Sequence, residues 1–381
     1  MLLLSLFPEP PEAYFFTGTI QQRMLEDTSS YGYQQAAWEY SFVGEYQKAL
    51  WAYDHDTGGY PPLSDEQQAH FLSFRPIDAT EFILQRAEQE QIIMINEAHH
   101  QPVHRVFTTS LLEGLYQRGF RFLGLEGLSH TDSLLNKRGY PVWHSGYYIQ
   151  EPQFGNLVRE ALRIGYEVFA YEAQDMSNGK EREIQQARNI QRMLKAHPEG
   201  KFLIHCGFDH INESAVAAWE KAMAGRVREY TGINPFTINQ EILTEKYTRE
   251  KENPFFRLVD TLAHPSVFVR GDSLFRGAQG DTRYDVRLYH PRTTYRSGRP
   301  AWLGMNGARR FYSLDPKTIN IAYPVIICAY AKEETEASVP VDVIEMKSFS
   351  DQKALVLPEG KYVITLHNPQ GDTLRTSIDV E

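Results

Sequence analysis

Short apolar runs that each break off into acids or histidines constrain this chain more than any other feature of it. Ile92 to Ile95 gives way to Asn96, Glu97, Ala98, His99 and His100, and Phe120 to Leu125 ends in Glu126. Tyr166 to Tyr171 runs into Glu172, Gln174 and Asp175, while Lys201 to Ile204 passes into His205, Cys206, Gly207, Phe208, Asp209 and His210. Each run has the length of a buried strand. Between the first two, Val103, Phe107, Leu111 and Leu115 recur at four-residue spacing with Val106 and Leu112 beside them, the apolar stripe of a helix lying on a sheet, and Gly119 ends it. Strands alternating with helices predict βαβ units and a mostly parallel sheet. Right-handed crossovers then bring all four strand ends to one edge, where open α/β sheets bind their ligands.

The predicted core is therefore α/β with three layers, spanning residues 76–328 and opening with a helix at Asp78, where Asp78 and Glu81 have capping-box spacing. Residues 1–75 read as a helical segment. Within it Ala36 to Asp54 places Trp38, Gly44, Tyr46 and Ala49 much as one tetratricopeptide helix pair does, and a single copy predicts a hairpin leaning on the core rather than a solenoid. Ala215 to Tyr230 reads as a helix and Phe236 to Asn239 as a further strand. Arg283, Arg287, Arg292, Arg296 and Arg299 occupy a turn-rich region and are expected on a solvated surface. After Val325 to Ala331, Lys332 to Glu336 reads as a linker, and residues 329–381 as a small C-terminal β domain, sandwich-like, with turns at Pro358-Glu359-Gly360 and Asn368-Pro369-Gln370-Gly371.

Charge and motifs exclude several functions. A net charge of −10 argues against general nucleic-acid binding, which needs a basic surface. No apolar stretch approaches the roughly 20 residues of a membrane-spanning helix. Met1 to Phe7 is apolar and is either the remnant of a signal sequence or an ordinary start packed on the body; with the β domain it leans the expected location toward the periplasm. Cys206 and Cys328 sit in apolar runs as buried thiols and form no disulfide framework. There is no P-loop, no Gly-rich dinucleotide fingerprint, no His-Glu-x-x-His helix and no Gly-x-Ser-x-Gly elbow.

The remaining candidates are the groups at or just beyond the strand ends: Glu97, His100, Glu126 and His210 as the catalytic set, with His104, Glu172, Asp175 and His205 around them as substrate-binding residues, while Arg182 reads by itself as a surface charge. A carboxylate beside an imidazole orients it as a general base able to activate water, and a second imidazole or an arginine steadies the charge that develops on the substrate. The same ligand types also suit a divalent metal with open positions. Residue type alone leaves both chemistries open.

At these residues the chain resembles the superfamily of erythromycin esterases, ChaN-like haem-binding lipoproteins, TraB/TIKI proteins and a domain of Pasteurella-type toxins. The resemblance rests on Glu97-Ala98-His99-His100, similar to a Gly-Glu-x-x-His motif with Asn96 in the glycine position, on Glu126, and on Gly207 to His210. It extends to Gly146-Tyr147, Glu151-Pro152 and the Arg182 to Asn189 helix, and covers about 78–240. It implies Glu97, His100, Glu126 and His210 as site residues, with Arg182 and His205 beside them. In the esterases the motif histidine is taken as a metal-free base, whereas the TIKI branch is metal-dependent. The function expected is thus a hydrolase of an ester or amide in a small-molecule or peptide substrate. The alternatives are a haem- or metal-binding protein using the same cleft and an inert interaction scaffold.

Overall fold

In the computed structural model, which describes residues 14–55, 57–174, 179–259, 261–277 and 281–381, six strands form one sheet. They are β1 (Ile92–Glu97), β2 (Phe120–Leu125), β3 (Glu167–Ala170), β4 (Lys201–Gly207), β5 (Phe236–Asn239) and β6 (Val286–Arg287). Their spatial order is β6-β5-β1-β4-β2-β3 and every neighbouring pair is parallel. The main helices along the chain are α1 (Thr17–Glu26), α2 (Ser30–Phe42), α3 (Tyr46–Asp54), α4 (Ala79–Arg86), α5 (Val103–Gln117), α6 (Pro152–Ile164), α7 (Gly179–Ala196) and α8 (Met223–Thr231).

Alternation along the strands builds the three layers, because successive side chains leave a strand on opposite faces. Ile93, Ile95, Leu123, Leu125 and Leu203 pack with Leu111 and Leu115 of α5 and Leu157 and Val158 of α6. Ile92, Met94, Phe202 and Ile204 pack on the other face with Ala187 and Ile190 of α7 and Val227 of α8. Helix ends follow local chemistry. Asp78 accepts a hydrogen bond from the Glu81 amide at the start of α4. Glu151 caps α6 ahead of Pro152, and Gly165, at φ 110°, closes it in the left-handed conformation that suits glycine.

The C-terminal part is an antiparallel sheet of β7 (Val325–Ala331), β8 (Asp342–Met346), β9 (Gly360–His367) and β10 (Thr373–Val380), in the order β8-β7-β9-β10. The N-terminal helices lie against it: Ala36, Tyr40 and Ala49 share a core with Ile326, Cys328 and Val343, and the Thr17 amide and hydroxyl bond the Glu345 carboxylate. The architecture is the expected one, α/β with a small C-terminal β domain and helices at the N-terminus.

Three details differ from expectation. The expected boundary at 328/329 runs through β7, whose partners are β8 and β9 rather than any core strand. Ala215 to Tyr230 is not one helix, since Ala215–Val216 pairs with Glu220–Lys221 in a small hairpin before α8 begins. Arg287 and Arg299 are buried instead of solvated. The Arg299 guanidinium forms a paired contact with Asp342 at 2.9 and 3.0 Å, which fastens the turn-rich region to the C-terminal sheet. A long-range ion pair of that kind has no local sequence pattern to announce it. The apolar start, residues 1–7, lies outside the described residues.

Candidate functional site

The carboxyl ends of β1, β4 and β2 lie side by side, with Glu97 in register with Gly207 and Leu125 with His205. Glu97 is buried there and takes hydrogen bonds on both oxygens. Arg105, in the first turns of α5, grips it through Nε at 2.6 Å and Nη2 at 2.6 Å. His99 Nδ1 stands 2.7 Å from Oε1 and His205 Nε2 stands 2.8 Å from Oε2. Arg105 also donates to Glu151, the cap of α6, at 3.0 Å, and its guanidinium lies over the Phe154 ring. Burial favours the protonated Glu97, but the Arg105 charge and the hydrogen bonds from Arg105, His205 and His99 outweigh it and hold the carboxyl well below the usual range.

That ionisation fixes a tautomer. A carboxylate only accepts, so His99 Nδ1 carries the hydrogen, and in the neutral ring Nε2 then carries the lone pair. Nε2 has no hydrogen-bond partner among the described residues. It lies over the Gly207 Cα, so close that a Cβ built there would stand 2.5 Å from it and 3.4 Å from Glu126 Oε2. Tyr148 stacks on the His99 ring at 3.9 Å between centroids, and Trp38 from α2 meets it edge-on.

Glu126, beyond β2, accepts from the Gly207 amide and from Arg182 Nη2 at 2.6 Å, and its Oε1 is 3.5 Å from His210 Nε2. Arg182, on α7, also binds Glu172 through Nε and Nη2. One turn position along, Glu183 sets its Oε1 2.6 Å from His210 Nδ1 and accepts from the Met223 amide at the head of α8. Burial opposes a charge on His210, yet Glu126 and Glu183 on either side carry its pKa up to about 10, so the ring is an imidazolium at neutral pH. The same pairing, together with Arg182, holds Glu126 well below the usual carboxylate range against its burial. Trp219 lies parallel to the His210 ring at 5.6 Å. Between the two histidines the backbone is strained: Phe208 sits at φ 43°, a left-handed value that costs a non-glycine residue roughly 1–3 kcal/mol and recurs at functional sites. Its carbonyl is held by Asn96 Nδ2 at 2.7 Å, while Asn96 Oδ1 takes the Gln240 amide.

The structure thus brings Glu97, His205, Glu126, Arg182, Glu172 and His210 into one connected cluster, all of them foreseen in the sequence. It turns His100 and His104 elsewhere. His100 stacks on Tyr53 and contacts Gln101, and His104 accepts from the Ala98 amide with its ring near His290, over the ends of β1, β5 and β6. Asp175 lies outside the described residues. The imidazoles on Glu97 are His205 and His99, the latter one residue before the motif histidine. Where a strand ends and the chain turns, alternation no longer tells which of two adjacent side chains faces in. Arg105, Glu151 and Glu183 were also not picked out; only Glu151-Pro152 had a local signal, as a helix start.

The donor set does not fit a metal. Among the described residues no three His, Cys, Asp or Glu side chains gather as a metal ion requires, and the Glu97 and Glu126 oxygens face arginine, imidazole and amide donors instead. Nor is His100 free to take haem, since its ring is buried against Tyr53 and its Nε2 meets Gln101. No described helix is long and apolar enough to cross a membrane.

No family model matches the chain, and no curated protein does. Solved structures that resemble it include the type III effector HopBA1, 14% identical with a TM-score of 0.30, covering 44% of this chain and 86% of that one. A second is RRSP, a MARTX toxin effector domain from Vibrio vulnificus, 14% identical with a TM-score of 0.32 over 58% of this chain and 45% of that one. A third, described as bacterial protein toxins, is 13% identical with a TM-score of 0.32; the chain spans about half of these two toxin structures. Overlaps of this size carry no conclusion about activity.

Proposed function

We propose that the chain is a hydrolase of the erythromycin esterase, ChaN-like and TraB/TIKI superfamily that attacks an ester or amide with water activated by His99. Glu97 receives the Nδ1 hydrogen and so points the Nε2 lone pair at the attacking water, as a buried acid does for a catalytic histidine. The water proton goes to Nε2 as the oxygen adds to the carbonyl. His210, already charged, lies across Glu126 and favours the developing oxyanion by its charge, since both of its nitrogens face carboxylates. Proton return from His99 to the leaving oxygen or nitrogen completes the cycle. The observation that carries this reading is the 2.7 Å contact of His99 Nδ1 with an ionised Glu97, while Nε2 has no hydrogen-bond partner among the described residues. Arg105 acts through Glu97, as a positioning residue.

The test is turnover on a panel of aryl esters and anilides, with small acyl and peptidyl groups, by wild type, His99→Asn and His100→Asn. His99→Asn is expected to lose on the order of 10²–10⁴-fold in kcat, the usual share of a general base, while His100→Asn keeps the measurable activity. Full turnover by a folded His99→Asn protein on a substrate the wild type cleaves would remove the proposal.

A further inference from the structure

The crest of the sheet carries a second set of buried imidazoles that the hydrolytic reading does not use. They sit over the ends of β1, β5 and β6, on the far side of Tyr53 and Phe208 from His99. His100, 1% exposed, shares its Nε2 with Gln101 Nε2 at 3.3 Å. Gln101 Oε1 accepts from the Thr244 hydroxyl, so the amide nitrogen is the side that meets the ring, and a nitrogen donor there makes His100 Nε2 the acceptor. The hydrogen of the neutral ring is therefore on Nδ1, and Nδ1 is buried with no partner. His290, 2% exposed, faces Gln240 Oε1 with Nε2 at 3.0 Å, which makes Nε2 its donor and leaves Nδ1 as an acceptor. Burial keeps both rings neutral, His290 with its pKa down to about 3 and His100 well below its ordinary value.

Both histidines line one cavity, and Gln101, Thr244, Glu245 and Trp302 belong to the same lining. A buried donor without an acceptor is costly and calls for an occupant. The cavity's volume, about 30 Å³ by the measure that gives one water ~10–15 Å³, has room for about two or three non-hydrogen atoms, and the cavity is open to solvent. We propose that this cavity is a second ligand site, which takes the uncharged head of a small molecule, a carboxamide or like group with one acceptor and one donor, and lays a flat apolar body against Trp302. The acceptor meets His100 Nδ1–H, and the donor meets His290 Nδ1 or the Glu245 carboxylate. A carboxylate head is disfavoured by Glu245, and Lys246, whose charge acts on His100, lies outside the lining and is paired with Glu241 at 3.6 Å. An ammonium head has nothing to offer the His100 N–H. The site is independent of His99 chemistry.

The experiment compares benzamide, benzoate and benzylammonium, which share one ring and differ in the head, by saturation-transfer NMR and by crystal soaks of the full chain. Benzamide is expected to bind at least 10-fold more tightly than either ion, with its head against His100. His100→Phe, which retains the stack on Tyr53 but lacks the donor, is expected to lose that preference while keeping the wild-type melting curve. Equal binding of all three probes, or soaks that show only ordered water beside His100, would overturn the proposal. Should His100→Phe fail to fold, the ranking of the three probes on wild type decides the matter alone. Loss of the His99 reading would leave this result untouched, because none of these measurements involves turnover.

Discussion

Replacing Gly207 by alanine tests the site at its narrowest point. Gly207 has φ −84° and ψ 146°, a conformation open to any residue, so its glycine is required by space alone. The added Cβ would stand 2.5 Å from His99 Cε1 and Nε2, whereas carbon in ordinary contact keeps about 3.5 Å. The backbone cannot supply the difference readily: the Gly207 amide is bonded to Glu126, its neighbour Phe208 is held by Asn96, and the strand is in register with Glu97. The His99 ring must therefore move by about 1 Å, which strains its bond to Glu97 and its stack on Tyr148. A misplacement of about 1 Å in a catalytic group costs on the order of 10²-fold in rate. Stability should change little, because alanine gains about 0.4–1 kcal/mol by restricting the unfolded chain and the weakened His99 hydrogen bond costs about as much. The assay is kcat on whichever ester or anilide the wild type cleaves, with urea unfolding of the same preparations and a crystal structure of the variant. Wild-type kcat with the His99–Glu97 contact intact would refute the placement of His99 over Gly207. An unfolded variant would refute the claim that the His99 ring yields to the added carbon at little cost in stability.

Other expectations follow from the same cluster. Arg105→Met should leave Glu97 and Glu151 buried without their cation and cost about 3–5 kcal/mol in urea unfolding, the usual penalty for removing one partner of a buried pair. Asn96→Ala should cost about 1–3 kcal/mol by freeing the Phe208 carbonyl and the Gln240 amide, and should lower kcat as the Phe208 turn relaxes; an unchanged melting curve would count against the tie. His210 has a folded pKa of about 10, above the value of about 6.5 for an unfolded histidine. Its charge therefore contributes stability that is fully present below pH 6.5 or so and is lost as pH rises through about 10. His210→Gln should remove that alkaline slope from the urea midpoint between about pH 7 and 10, and a variant with the wild-type slope would show that another group causes it.

What the sequence determined by itself was local and periodic. Short continuous apolar runs specify strands buried on both faces and four-residue stripes specify helices that bury one, and the alternation of the two specifies a parallel sheet with its strand ends on one edge. That reasoning was enough to bring Glu97, Glu126, Glu172, His205 and His210 to the same crest, and only the family resemblance pointed to Arg182. Which side chain of an adjacent pair turns inward was a tertiary decision. His99 was selected over His100 by the bare Cα of Gly207 beneath it and Tyr148 above it, both distant in sequence. Arg105 reaches Glu97 and Glu151, and Arg299 reaches Asp342, through partners that only chain crossing supplies. The β7 strand likewise joined the C-terminal sheet through its register with β8 and β9. The physical reason is common to all of these: hydrophobic periodicity is written residue by residue, whereas the pairing of charges and the space left by a glycine depend on which segments meet.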